Sequence, residues 1–125
     1  MRQLGRNDAA IIQYQKALDI EPSNPHILVK TAKACIADGK DSDAVNVLKR
    51  AVETNPNYPT PYQLLSAIYL KMKDYDNAGF YAKESISINP FYPQSHKILA
   101  EVFLLKGLKD ESEIEFHDSL RLEQK

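Results

Sequence analysis

Apolar residues recur along this chain at intervals of three and four residues, the spacing that places side chains on one face of an α-helix. Over residues 25–38 they occur at Ile27, Leu28, Ala32, Cys35 and Ile36. The same pattern predicts helices over residues 7–20, 26–38, 41–54, 60–72, 75–88, 94–106 and 109–122. No stretch shows the strand-like alternation of apolar and polar residues, so the chain is predicted to be all-α.

The helical pattern repeats with a period of 34 residues, marked by Pro22, Pro56 and Pro90. Small residues keep the same spacing: Ala10, Ala44 and Ala78, and Gly5, Gly39 and Gly107, with Lys73 in the remaining glycine position. Short connections make neighbouring helices antiparallel. A fixed period of this length is typical of a solenoid, in which each helical hairpin buries its apolar face only by stacking on its neighbours.

The residues inside each period resemble the tetratricopeptide repeat, a helix–turn–helix with large and small residues at set positions. The unit from Pro25 carries Leu28, Ala32, Ala44, Leu48, Ala51 and Pro56, and the unit from Pro59 carries Tyr62, Leu65, Tyr69, Ala78 and Pro90. The resemblance divides the chain into the second helix of a partial repeat, 1–24, and three repeats, 25–58, 59–92 and 93–125, in one solenoid domain. It implies an all-α superhelix of antiparallel hairpins.

In this family the first helix of each repeat lines the concave side, so the resemblance implies a partner-binding groove on three helices. The predicted groove residues are His26, Val29, Lys33, Ile36, Thr60, Gln63, Ala67, Leu70, Lys71, Gln94, Lys97, Glu101, Leu104 and Leu105. Ile36, Leu70 and Leu104 share one phase and would form an apolar line across the groove. An apolar segment or amphipathic helix of a partner protein is the predicted ligand.

The lysines of this set leave two interpretations open. Lys33, Lys71 and Lys97 would place three positive charges beside the apolar line, where they could meet acidic residues of a partner. Alternatively, the apolar line is partly packing between helices, and the lysines are ordinary solvated surface.

One known activity of the family can be checked by comparing the sequence with the motif that it requires. The variant that captures chaperone C-terminal carboxylates uses a clamp of lysine, arginine and asparagine side chains. The matching positions here are Val29, Lys33, Leu64, Gln94 and Ile98. Because the clamp is missing, we do not expect this chain to bind chaperone tails in that register.

The two ends of the array form a second candidate surface. Helix 7–20 has no hairpin partner of its own in this chain, and no capping helix follows the last one, although solenoids normally need capped ends. This indicates either a piece of a longer array or edges that pair with another chain as a homo-oligomer. The edge residues are Ile11, Tyr14, Leu18, Phe116 and Leu120.

Composition excludes several classes of function. Lys and Arg total 16 against 17 Asp and Glu, a net charge of −1, so no basic excess favours nucleic-acid binding. No apolar run is long enough to span a membrane, and the polar start is unlike a signal peptide, which favours a cytoplasmic location. The single cysteine and three scattered histidines lack metal-ligand spacing, so no metal or cofactor is predicted.

These observations predict a non-catalytic scaffold or adaptor that binds a protein segment in its groove, and not an enzyme. Two alternatives remain. The chain could be a regulatory or targeting segment of a larger multidomain enzyme or sensor, or a self-assembling structural module that uses its end helices.

Overall fold

The computed structural model describes residues 5–124. Residues 1–4 of the predicted partial repeat and Lys125 of the last predicted repeat lie outside this range. Within it, seven α-helices occupy nearly the whole chain, close to the predicted bounds. They are α1 (Arg6–Ile20), α2 (Pro25–Ala37), α3 (Asp41–Thr54), α4 (Pro59–Lys71), α5 (Tyr75–Ile88), α6 (Pro93–Leu105) and α7 (Lys109–Glu123).

Proline starts the first helix of each complete repeat. Pro25, Pro59 and Pro93 are the first residues of α2, α4 and α6, one residue earlier than predicted. Proline fits there because the amide it lacks has no partner within the helix. Asn24 also caps α2, since its Oδ1 accepts from the amides of His26 and Ile27 at 3.0 and 3.2 Å.

Each of the same three helices is followed by one left-handed residue. Gly39, Lys73 and Gly107 have φ values of 76°, 63° and 80°. After each of them the next amide donates back across the turn, as from Lys40 to the Cys35 carbonyl at 2.8 Å. This bond is the Schellman ending of a helix, and it turns the chain directly into the second helix of the hairpin.

The helices form two compact units that divide between Asn57 and Tyr58, one residue before the predicted repeat boundary. In the first unit α2 packs against α1 and α3. In the second unit α4 packs against α5, and α6 packs against α5, α7 and α4. Each hairpin has only three residues between its helices, which makes the paired helices antiparallel.

Small residues allow the helices to approach closely in each unit. Ala44 and Ala51 of α3 and Ala78 and Ala82 of α5 have no exposed surface. Ala51 packs with Leu18 of α1 and Leu28 of α2 in the core of the first unit.

Aromatic side chains pack between the helices of the second unit. The rings of Tyr69 and Tyr81 stack with centroids 5.7 Å apart, which joins α4 to α5. No helix among the described residues has the length and apolar character needed to cross a bilayer.

Candidate functional site

The predicted groove of the first unit lies on α2. His26 and Lys33 are exposed there, and Ile36 is half-buried. Val29 is only 5% exposed and belongs to the core of this unit, so it offers a partner little surface. The alignment of Ile36 with positions of the second unit stays a prediction.

The predicted groove residues of α4 are covered to different degrees. Thr60, Gln63 and Leu70 are half-buried, whereas Ala67 and Lys71 are exposed. Leu70 therefore has enough exposed surface to touch a ligand and enough covered surface to be held in place by packing.

The α6 residues are the most accessible of the predicted groove. Leu104 and Leu105 are 56% and 52% exposed, and Gln94 and Glu101 are also exposed. Lys97 is half-buried and forms an ion pair with Glu123 of α7. Because this pair offsets the charge of Lys97, the positive potential expected at this end of the groove is reduced.

A hollow of about 370 Å³ joins two surfaces that the sequence predicts separately. It lies between α6 and α7. Its walls are formed by residues of the predicted groove, by one residue of the predicted edge and by one small residue from each helix, Ala100 and Ser112. The lining residues are Lys97, Ala100, Glu101, Leu104, Ser112 and Phe116. We call this the α6–α7 hollow.

The two predicted edges differ. Ile11 and Leu18 are each 8% exposed, and Tyr14 is half-buried, so the expectation that this edge is uncovered is wrong for both aliphatic residues. The reason is that α2 packs against α1, and Leu18 joins the core around Leu28. At the other edge Phe116 is 51% exposed and Leu120 is also exposed.

Cys35 is packed inside the first unit and is 3% exposed. Burial raises the pKa of its thiol, and the nearby carboxylate of Asp43 raises it further. Both effects favour the neutral thiol, the opposite of what a nucleophilic cysteine needs.

The contact between His96 and Glu115 was not predicted from the sequence. His96 of α6 is 7% exposed, and its Nδ1 lies 2.7 Å from Oε2 of Glu115 on α7. The two residues are 19 positions apart, so no short motif connects them. The contact could have been predicted only from the position of each residue within the hairpin.

A second hollow of about 300 Å³, also missed by the sequence analysis, lies between α5 and α6. The ammonium of Lys83 lies 5.6 Å from the centre of the Phe103 ring at its wall. At its rim Lys106 donates to Asp76 at 2.5 Å, and this hydrogen bond lowers the pKa of the Asp76 carboxyl. The charged groups named around this hollow therefore already have partners within the protein.

The chain matches two family models described as tetratricopeptide repeat, one over residues 1–68 and one over residues 59–92. It is 31% identical over 78 residues to the TPR repeat-containing thioredoxin TTL4 of Arabidopsis thaliana, which covers 62% of this chain and 11% of that protein. It is 33% identical over 72 residues to heat shock protein STI1 of Saccharomyces cerevisiae, covering 57% and 12%. The chain thus spans only a small part of the length of these relatives.

Solved structures share the fold. A crystal structure of MamA protein superposes with a TM-score of 0.86 at 24% identity, covering 96% of this chain and 66% of that chain. TTC0263, a thermophilic TPR protein of Thermus thermophilus, superposes with a TM-score of 0.77 at 27% identity, covering 96% and 68%. The predicted all-α helical solenoid fold is confirmed.

Proposed function

Because the chain belongs to the tetratricopeptide repeat family, we propose that it is a non-catalytic protein-binding module. It would hold an amphipathic helix of a partner protein in the α6–α7 hollow and against α4 and α6, the first helices of the repeats in the second unit. The observation that carries this proposal is the exposure of Leu104 and Phe116 on the two walls of that hollow. Large apolar side chains gathered around a concavity are typical of docking surfaces, whereas single exposed apolar residues are ordinary.

The dimensions of the hollow favour a few side chains and not a whole ligand. About 370 Å³ is room for one or two large apolar side chains. A partner helix inserts such side chains from one face, at intervals of three and four residues. Leu105 and the half-buried Leu70 are further apolar residues of the predicted groove in the second unit.

Charge around the α6–α7 hollow favours a basic partner. Lys97 is paired with Glu123, while Glu101 is exposed on the lining. Helix α7 also carries six acidic residues against two basic ones: Asp110, Glu111, Glu113, Glu115, Asp118 and Glu123 against Lys109 and Arg121. Lysine or arginine on the flank of the bound helix would complement this surface and raise its association rate.

The test uses two synthetic helical peptides with leucines on one face, one carrying lysines and one carrying glutamates on the other. We expect the lysine peptide to bind more tightly in fluorescence anisotropy. The double variant Leu104→Ser/Phe116→Ser should weaken its binding at least about tenfold, because both apolar walls are lost.

Ile114→Ser is the matched control, since Ile114 is also exposed on α7 but does not line the hollow. It should bind the lysine peptide as the wild type does. Equal binding by the wild type and the double variant would refute the proposed surface, and tighter binding of the glutamate peptide would refute its charge preference.

Self-assembly is the second candidate function, and the exposure of Phe116 and Leu120 on α7 favours it. A third candidate, a segment of a larger enzyme or sensor, is favoured by the small share of the relatives that the chain covers and by the thioredoxin in one relative's name. A cytoplasmic location and the absence of catalysis, nucleic-acid binding and cofactors stay predictions.

A further inference from the structure

His96, Glu115 and Asp118 bring three metal-ligating side chains together in the α6–α7 hairpin. One donor atom from each residue lies within 4.8 Å of the other two. Glu115 and Asp118 are separated by one helical turn on α7, and His96 faces them from α6. None of the three lines the α6–α7 hollow, although Glu115 and Asp118 also contribute to the acidic surface of α7.

The orientation of the imidazole is fixed by a backbone carbonyl. Nε2 of His96 lies 2.8 Å from the carbonyl oxygen of Pro90. A carbonyl only accepts hydrogen bonds, so Nε2 carries the hydrogen. This is the arrangement in which a metal-binding histidine is held by its other ring nitrogen, and it directs Nδ1 towards the two carboxylates.

Nδ1 and the carboxylate need a positive charge between them. With the hydrogen on Nε2, a neutral imidazole would point the lone pair of Nδ1 at Oε2 of Glu115, only 2.7 Å away. At this distance the two atoms share a proton in a hydrogen bond. A metal ion would replace that proton and hold the two atoms slightly farther apart, and the nearby Asp118 carboxylate provides its third ligand.

We propose that this cluster binds a divalent transition-metal ion of the Zn²⁺ class, through Nδ1 of His96 and one carboxylate oxygen each from Glu115 and Asp118. One imidazole and two carboxylates form a ligand set that Zn²⁺ accepts, with water as the fourth ligand. Mg²⁺ and Ca²⁺ prefer oxygen ligands alone, so they would bind more weakly.

The neighbouring charges are compatible with such a site. Arg121 lies 3.1 Å from Oδ1 of Asp118, and the other carboxylate oxygen can turn towards the ion while this contact is kept. The side chains of Glu115 and Asp118 are 20% and 32% exposed, which gives an ion a path from solvent. The bound ion would connect α6 to α7 and stabilise this hairpin.

The test titrates ZnCl₂ into the full chain by calorimetry and compares melting temperatures in ZnCl₂, MgCl₂ and EDTA. We expect heat from one site and a higher melting temperature in ZnCl₂ alone, since ligand binding to the folded state stabilises it. His96→Gln and Asp118→Asn should each weaken Zn²⁺ binding at least about tenfold. Asp118→Asn alters a partly exposed residue, so its folding without metal should be close to that of the wild type.

His117→Gln is the matched control, because His117 is an exposed histidine on α7 outside the cluster. It should keep both the calorimetric heat and the shift in melting temperature. The site is refuted if the wild type shows neither effect, if MgCl₂ raises the melting temperature as much as ZnCl₂, or if Asp118→Asn binds Zn²⁺ as tightly as the wild type.

Discussion

Buried serines occupy positions where other repeats carry alanine, and each hydroxyl has a partner. Ser85 of α5 is equivalent to Ala51, and its Oγ lies 2.8 Å from Oγ of Ser95 on α6, with neither side chain exposed. Ser112 of α7 is equivalent to Ala78 and donates to the Ala100 carbonyl at 2.7 Å. A buried hydroxyl without a partner costs about 1–3 kcal/mol, which explains why these serines come with an acceptor.

We expect Ser85→Ala to lower the free energy of unfolding by about 1–2 kcal/mol, because it removes the partner of the Ser95 hydroxyl. The double variant Ser85→Ala/Ser95→Ala should recover part of this loss, since both polar groups are then gone. Urea unfolding followed by circular dichroism measures both. A double variant that loses the sum of the two single losses would show that the serines do not depend on each other.

Cys35 should react slowly while the protein is folded. Burial leaves the thiol little access to reagents, and its raised pKa keeps it protonated. At pH 8 we expect modification by a disulfide reagent to be at least about tenfold slower than in urea, because reaction requires local opening. The stabilisation from the neutral thiol is present at neutral pH and is lost as the pH rises through the folded-state pKa. Equal rates in buffer and urea would contradict the buried position.

At the scale of the helix, the same left-handed turn follows three helices, but the residue at that position is not the same in all three. Gly39 and Gly107 adopt the left-handed conformation without cost, whereas Lys73 adopts it with a side chain. Asp74 still donates to the Tyr69 carbonyl at 2.9 Å, so the turn of α4 forms as the other two do. The backbone strain at Lys73 is therefore compensated by the rest of the hairpin.

Lys73→Gly should raise the free energy of unfolding by up to about 1 kcal/mol. Removing the side chain relieves the left-handed strain, and the greater freedom of glycine in the unfolded chain offsets part of the gain. Lys73 is exposed, so little packing is lost. Gly107→Ala is the reciprocal variant and should be destabilising. Thermal melts of both variants test the idea, and a lower melting temperature for Lys73→Gly would contradict it.

Much of the helical architecture could be predicted, because proline and the left-handed turn residues mark the ends of the helices. The burial of individual residues could not be predicted from the sequence. After allowance for the 34-residue period, Val29 and Glu101 are one helical turn apart on the same helix face. Val29 is nevertheless buried, whereas Glu101 is exposed. A repeat period gives the phase of a residue on its helix, but not the neighbour that covers it. For the same reason the ion pair of Lys97 with Glu123 and the contact of His96 with Glu115 emerge only from the structure.

At the scale of the whole molecule, charge and exposed apolar surface are distributed unevenly. The net charge of the chain is −1, yet α7 is strongly acidic. Most of the large exposed apolar side chains among the described residues lie in the second unit, and six of them are on α6, α7 and the turn between them: Leu104, Leu105, Leu108, Ile114, Phe116 and Leu120. A surface of this kind associates with other chains when its charge is screened.

If this surface pairs with a second copy, the mass measured by light scattering should rise with protein concentration, and more steeply at high salt, which screens the acidic residues of α7. Phe116→Ser/Leu120→Ser should remain monomeric under the same conditions. The variant Ile20→Ser removes a highly exposed residue of the first unit and should behave as the wild type does. A monomeric wild type at all concentrations would rule out self-association.

The α6–α7 hollow has a further consequence, because residues of the predicted groove and Phe116 of the predicted edge line the same space. A partner helix held by Leu104 and Phe116 and a second copy docked on Phe116 cannot be present at once. The two proposed activities are therefore in competition, and each lowers the apparent affinity of the other. The concentration of the partner would then set the fraction of the protein that pairs, because a bound helix blocks the pairing surface.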